Sequence, residues 1–195
     1  MTLYTVRINN EIIQTTVTCK ASIVDQWIRG ILYIHRWRLH KLIVGFDVEW
    51  RPSLNRSMSN PVAILQLCVG RRCLIFQLIH ADYFPDSLFN FLEDHRFTFV
   101  GVGIQQDVQK LSRNYSFSFS FLEDLRSLAA YRFDMPELWN AGLKRLAWEV
   151  LRVEIDKPVH ITLSNWDAHF LTEAQVCYAT ADAFLSFEIG RVLLS

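Results

Sequence analysis

This sequence predicts an α/β fold, a mixed sheet flanked by helices. Short apolar runs end in turn residues, one such run breaks at glycines into a helical pattern, and a C-terminal stretch carries apolar residues at helical spacing behind a capping box. Tyr4 to Ile8 and Ile12 to Thr18 flank Asn9-Asn10, which signals a hairpin. A helix follows from Ala21 to about Leu32. Strands fit Leu42 to Glu49, Val62 to Val69 and Cys73 to Leu78, the first two separated by a loop rich in Ser, Asn and Arg and the last two by the short Gly70-Arg71-Arg72 turn. Three consecutive strands with such connections make an antiparallel meander. Helix Asp86 to Asp94, strand Phe97 to Val102 and helix Gln105 to Asn114 then extend the sheet in an α/β manner. Ser116-Phe-Ser-Phe-Ser-Phe alternates like a short strand, and helices are expected near Leu122 to Tyr131 and Leu143 to Leu151. Thr172 opens Thr-Glu-Ala-Gln, a capping box with Gln175 at the third helical position, and starts a helix running to Leu194.

The chain has 195 residues and 51% hydrophobic content, enough for one α/β domain around a single core. Residues 1–195 read as a single domain, with 1–41 an N-terminal hairpin and helix extension. No run of about 18 apolar residues suggests a membrane span, and the start lacks the basic-then-apolar layout of a secretory signal. The expected location is intracellular, cytoplasmic ahead of nuclear. Cys19, Cys68, Cys73 and Cys177 show no Cys-x-x-Cys pairing and are expected as buried thiols rather than disulfides or zinc ligands. His35, His40, His80, His95, His160 and His169 show no metal-ligand spacing.

The chemistry-bearing residues sit at the ends of these elements. Asp47 and Glu49 close the strand Ile43 to Phe46 begins, and because side chains alternate along a strand they share one face. Two carboxylates that close resist joint ionisation, so a divalent cation is their natural partner, and an all-oxygen donor set suits Mg²⁺ or Mn²⁺. An isolated Asp-x-Glu is more often a solvated strand end. Tyr178 and Asp182 lie one turn apart on the C-terminal helix, where they could simply bond to each other. Ala179, Ala181 and Ala183 thin that face, leaving room for another backbone or a ligand. Asp107 follows the glycine-broken strand Phe99-Val-Gly-Val-Gly-Ile at a strand-to-helix junction, where α/β sheets bind ligands, although a first-turn Asp is also favoured by the helix dipole alone.

Charge constrains the partner. Twenty basic and twenty acidic residues leave no net charge, so affinity for nucleic acid has to come from local patches. Arg36, Arg38, His40 and Lys41 beside Trp37 form one cluster and Arg71 with Arg72 another, both equally readable as solvated loop charge. Trp50 and Trp166 are candidates for stacking on bases or covering the site, and both also suit a core.

Phe46-Asp-Val-Glu-Trp, Ala63-Ile-Leu-Gln-Leu-Cys, Val100-Gly-Val-Gly-Ile-Gln-Gln-Asp, Ser164-Asn-Trp and Leu171-Thr-Glu-Ala-Gln-Val-Cys-Tyr-Ala-Thr-Ala-Asp-Ala together resemble the Werner-syndrome-like 3′-5′ exonuclease domain, of the tyrosine subclass of the DEDD superfamily. The resemblance spans roughly residues 42 to 194, and no catalytic position of the family pattern is missing. It implies an RNase H-like (DnaQ-like exonuclease) fold and two-metal phosphodiester hydrolysis. By resemblance, Asp47, Glu49 and Asp182 hold a first Mg²⁺ or Mn²⁺, Asp47 bridges to a second that Asp107 helps retain, and Tyr178 orients the attacking water. Two divalent ions suit an anionic phosphodiester because they stabilise both the entering and the leaving oxygen. The product is a nucleoside 5′-monophosphate cut from a 3′ end. The compact chain with its Arg7-Ile-Asn-Asn lead-in resembles the stand-alone plant members, some of which form rings and clear fragments left by the RNA-induced silencing complex. That implies single-stranded RNA as the favoured substrate, an Argonaute-containing partner, and a homo-oligomer such as a ring of six. The alternatives are a Werner-like DNA exonuclease, or a catalytically silent nucleic-acid-binding or assembly module.

Overall fold

The computed structural model describes residues 1–53 and 59–195. Residues 54–58 of the loop expected to be rich in Ser, Asn and Arg lie outside the described residues. Strands β1 (Thr2–Ile8) and β2 (Glu11–Thr18) form the expected hairpin, with Asn9 in the left-handed conformation (φ 53°) that such a turn requires. Helix α1 (Ala21–Ile34) follows, then β3 (Leu42–Glu49), β4 (Ile64–Val69) and β5 (Arg72–Gln77), which make the antiparallel meander. Helix α2 (Asp86–Glu93), β6 (Phe97–Gly101) and α3 (Ile104–Tyr115) continue the chain. Among the described residues the sheet has seven strands in the order β1-β2-β5-β4-β3-β6-β7, where β7 is Phe121–Asp124. The β2–β5, β3–β6 and β6–β7 pairs are parallel and the others antiparallel, so the sheet is mixed.

Two elements differ from the sequence reading. The segment expected as a helix from Leu122 opens instead as strand β7 (Phe121–Asp124), laid parallel to β6, and helix α4 (Leu125–Phe133) starts only after Asp124, whose carboxylate accepts from the Arg126 N–H as a cap. The preceding Ser-Phe alternation is not a strand. Ser116 turns into the left-handed region (φ 59°) to end α3, and the phenylalanines point inward individually: Phe117 meets Phe84, while Phe119 meets Phe46 and Phe99. Beyond, α5 (Leu143–Leu146) widens into a π-helical turn, Ala147–Leu151, and α6 (Val159–Thr162) precedes the long α7 (Glu173–Leu193).

The sheet separates two packed layers. One holds α1, α2 and the buried side of α3 against Val44, Phe46, Leu65, Leu67 and Phe76. The other packs α7, with α4 and α5 beside it, over Ile64, Cys68, Ile75 and Val100. Helix α7 lies very close to β3. A Cβ at Gly45 would run into the Ala183 backbone carbonyl and come within 2.6 Å of the Phe187 backbone nitrogen. The small residues Ala179 and Ala183, both fully buried, therefore admit another backbone, that of β3. The expectation of four buried thiols needs correction. The β4–β5 register sets Cys68 opposite Cys73 with their Cα atoms 4.2 Å apart, and the two are joined as a disulfide; Cys177 is exposed and Cys19 half-buried. No helix among the described residues is long and apolar enough to cross a membrane.

Candidate active site

The close packing at Gly45 sets the site. It lays α7 across β3 so that Asp182 drops from the helix toward Asp47 and Glu49, which leave the strand on the same face. One ligand oxygen from each of Asp47, Glu49 and Asp182 lies within 4.8 Å of the others. Asp182 is 2% exposed, and the two strand acids are half-buried. The helix start is fixed by the expected capping box: Thr172 Oγ1 accepts from the Gln175 N–H, and Gln175 Oε1 accepts from the Thr172 N–H. The Gln175 amide also donates to Ser164 Oγ and to the Asn165 carbonyl, tying the preceding loop to the helix.

That loop supports Tyr178. Its phenol oxygen is 2.9 Å from Thr162 Oγ1, and its ring lies 5.8 Å, centroid to centroid, from Trp166. Trp166 is fully buried and donates its indole N–H to the Thr162 carbonyl, so it is a core residue propping Tyr178 rather than a face for a base. Trp50 is half-buried with the Lys110 ammonium 4.9 Å from its ring centre. Asp107 sits in the first turn of α3, after Gly103 in the left-handed region (φ 73°). It is outside the three-acid group, yet its titration is coupled to the charge of Asp47.

Lys157 is the residue the sequence reading missed. Its ammonium donates to Asp182 Oδ2 at 2.7 Å and lies 4.7 Å from the centre of the Tyr178 ring. It comes from the irregular stretch before α6, and a single Lys in Asp-Lys-Pro carries no spacing signal.

The acids are held far from their ordinary titration range. Burial, then the neighbouring Asp47 and Asp182 charges, pushes Glu49 up to about 10. Burial and Asp47 push Asp182 up to about 8 against the pull of Lys157, and burial and Asp47 push Asp107 up to about 8 against Arg126. Asp47 is raised by burial, with Lys157 and the Val48 N–H opposing. Burial lowers Lys157, but Asp182 and Asp47 outweigh it and the net direction is up. Four acids against Lys157 and Arg126 are under-compensated, and the donors are all carboxylate oxygens. That set fits a hard divalent cation such as Mg²⁺ or Mn²⁺.

A pH prediction follows from these shifts. Unfolded carboxyls release their protons near pH 4, whereas Glu49, Asp107 and Asp182 retain theirs in the fold up to about 8 to 10. Between those limits the unfolded chain binds fewer protons, so stability falls as pH rises. Lys157, shifted upward, stays charged throughout. Calorimetry in EDTA at several pH values between 5 and 9 is expected to show Tm falling, and Mn²⁺ to remove the fall. A Tm that is flat or rising in EDTA would mean that the acids are already compensated.

Comparison with known proteins places this geometry. A family model described as 3′-5′ exonuclease matches residues 32–194. A 3′-5′ exonuclease of Arabidopsis thaliana is 36% identical over 152 residues, covering 77% of this chain and 52% of the relative. The bifunctional 3′-5′ exonuclease/ATP-dependent helicase WRN of Mus musculus is 34% identical over 152 residues, covering 77% of this chain and 11% of the relative. The chain thus spans about half or less of the length of these curated relatives. The EXD2 exonuclease domain, in crystals soaked in Mn, superposes with TM-score 0.52 at 29% identity over 92% of this chain and 89% of that one. RNase D of Escherichia coli superposes with TM-score 0.74 at 19% identity over 92% of this chain and 44% of that one, which speaks for the RNase H-like fold alone. With a family model running from the end of α1 through α7 and carboxylates gathered where β3 meets α7, the chain belongs to the 3′-5′ exonuclease family.

Proposed function

We propose that this chain is a divalent-metal-dependent 3′-5′ exonuclease that releases nucleoside 5′-monophosphates from a single strand, RNA in preference to DNA. The observation that carries the reading is the convergence of Asp47, Glu49 and Asp182 on one point beside Tyr178. Asp47, Glu49 and Asp182 would hold one cation, and Asp107 with Asp47 a second. Such a pair, when bound, supplies charge for the entering and leaving oxygens of the phosphodiester. The protein's own groups do the rest. Lys157 holds the Asp182 carboxylate in place and leaves Glu49 and Asp47 to face the centre. Burial, then the Asp182 charge, pushes the Tyr178 phenol up, so at neutral pH it keeps its proton and orients a water rather than accepting a proton from it. Thr162 fixes the direction of that hydroxyl.

Tyr178→Phe is expected to slow turnover by about 100-fold, the low end of what a positioned acid-base group contributes, and to leave Mn²⁺ binding unchanged in a direct titration. Loss of Mn²⁺ binding would make Tyr178 a structural support of the cluster. The preference for RNA is favoured by resemblance of the Arg7-Ile-Asn-Asn lead-in to stand-alone plant members, and the same resemblance favours association with an Argonaute-containing complex. Matched 3′- and 5′-end-labelled RNA and DNA oligonucleotides, with Mg²⁺, Mn²⁺ or EDTA, test the reading. Metal-dependent mononucleotide release from the 3′ end, faster on RNA, is expected. Faster DNA turnover reverses the sugar preference, and no hydrolysis under any condition leaves the binding-module reading.

Self-association is a second proposal. Trp37, Tyr131, Trp139 and Phe170 are exposed large side chains of the kind an oligomer interface would cover. A single monomeric species in light scattering at micromolar concentration would refute it.

A further inference from the structure

Arg38 and the pair Arg71-Arg72 belong to two basic clusters far apart in the chain, yet they line one cleft in the fold. The end of α1, the start of β2, the β4–β5 turn and the last turns of α7 meet there. Its volume is about 710 Å³, ample for a ligand, and Glu11, His35, Glu188 and Arg191 also line it.

Charge in the cleft is unbalanced. Arg71 pairs with Glu11, and Arg191 pairs with Glu188 at 2.7 Å. Among the described residues no carboxylate pairs with Arg38 or Arg72, both of which are exposed. Arg38 donates its Nε–H to His35 Nδ1 at 3.3 Å, which aims the guanidinium without neutralising it. Burial, then the Arg38 and Arg72 charges, lowers His35 from its ordinary range, so both guanidiniums act on one imidazole. In a chain of zero net charge this is a local surplus of positive charge, and guanidinium forks match phosphate oxygens.

Position says which phosphate. On the β3–β4 ladder Gln66 stands opposite Asp47, and Arg71 is five residues further along, about 16 Å at the rise of a strand. On α7 Arg191 is nine residues beyond Asp182, about 14 Å at the rise of a helix. Cleft and acids are therefore about 15 Å apart by two independent rulers. At about 3.4 Å per stacked nucleotide, a strand with its 3′ end at the acids reaches the cleft after about four or five nucleotides.

We propose that this cleft anchors the phosphate backbone of a single nucleic-acid strand, with Arg38 and Arg72 holding the part that lies 5′ of the end being cut. The strand as occupant rests on the nuclease reading, but anchoring needs no metal and no chemistry. Because the contacts are to phosphate, they hold RNA and DNA alike.

The test uses Arg38→Gln, Arg72→Gln and the double variant, which remove charge but keep polar side chains, beside wild type and Arg132→Gln, an arginine that does not line the cleft. Binding of a 5′-fluorescein-labelled RNA of about twenty uridines is read by anisotropy in EDTA over a range of salt. Each cleft substitution is expected to weaken binding about tenfold, as for a hydrogen bond to a charged group, and to reduce the salt slope by about 0.7. Arg132→Gln should change neither. With Mg²⁺, the double variant is expected to raise KM on the long RNA with kcat unchanged, and to leave turnover of a trinucleotide as it was. Wild-type affinity and slope in the double variant overturn the proposal, as does equal weakening by Arg132→Gln. So does binding of inorganic phosphate as tightly as the long RNA, which would make this a small-anion pocket, or failure of both single variants to fold, which would make the arginines structural. Arginine-dependent binding in EDTA without any hydrolysis in Mg²⁺ or Mn²⁺ upholds the anchor and overturns the nuclease reading alone.

Discussion

Asp47→Ala is expected to abolish Mg²⁺- and Mn²⁺-dependent release of mononucleotides, a loss on the order of 10³-fold or more given what one electrostatic group in such a site contributes. Asp47 is where the charges meet: its carboxyl raises Glu49, Asp107 and Asp182 together and is itself raised by burial. Removing it deletes one carboxylate from the three-acid group. The same change relieves repulsion among buried acids, so Tm in EDTA is expected to rise rather than fall. Activity and stability then move in opposite directions, as expected where a site is held against its own electrostatics. Undiminished turnover by the folded variant would place the chemistry elsewhere. A lower Tm in EDTA would show that Asp47 contributes to the fold.

Gly45→Ala is expected to destabilise the protein by about 3 kcal/mol or more, at the upper end of overpacking effects, because the obstacle is backbone and cannot rotate away. Relief requires α7 to lift from β3, which carries Asp182 away from Asp47 and Glu49. A misplacement of about 1 Å can cost about 10²-fold in rate, so the variant should lose turnover even where it remains folded. Urea unfolding with turnover measured on the folded fraction separates the two effects. Gly30→Ala is the control. Its Cβ would meet nothing within 4 Å on α1, and stability should stay level or rise by up to about 1 kcal/mol. Wild-type stability in Gly45→Ala would mean that the helix and strand are not in backbone contact.

What was legible in the sequence is local in origin. The hairpin turn, the antiparallel meander and the capping box of α7 each carry their signal in a few adjacent residues, and all lie where those residues place them. The strand β7 was hidden because Phe121-Leu122-Glu123-Asp124 satisfies a strand and the first turn of a helix equally, and only its pairing with β6 decides. The parallel join of β2 to β5 has no local signature at all. At the site, alternation along β3 and the one-turn spacing on α7 named the carboxylates, whereas Lys157 reaches Asp182 only through the path of an irregular segment. Trp166 was ambiguous because an aromatic suits a core and a stacking surface equally, and burial resolves it.

The seam between α7 and β3 also bears on when, in the proposed reading, the chain could begin to cut. Asp47 and Glu49 leave the ribosome before β4 to β7, and Asp182 follows only after every strand described has been made. A nascent chain lacking α7 has two of the three clustered carboxylates and an uncovered apolar sheet face, a species for a chaperone. Docking of the last helix closes the core and completes the acids in one event. In the proposed reading, competence to cut is therefore withheld until α7 has been made and has docked.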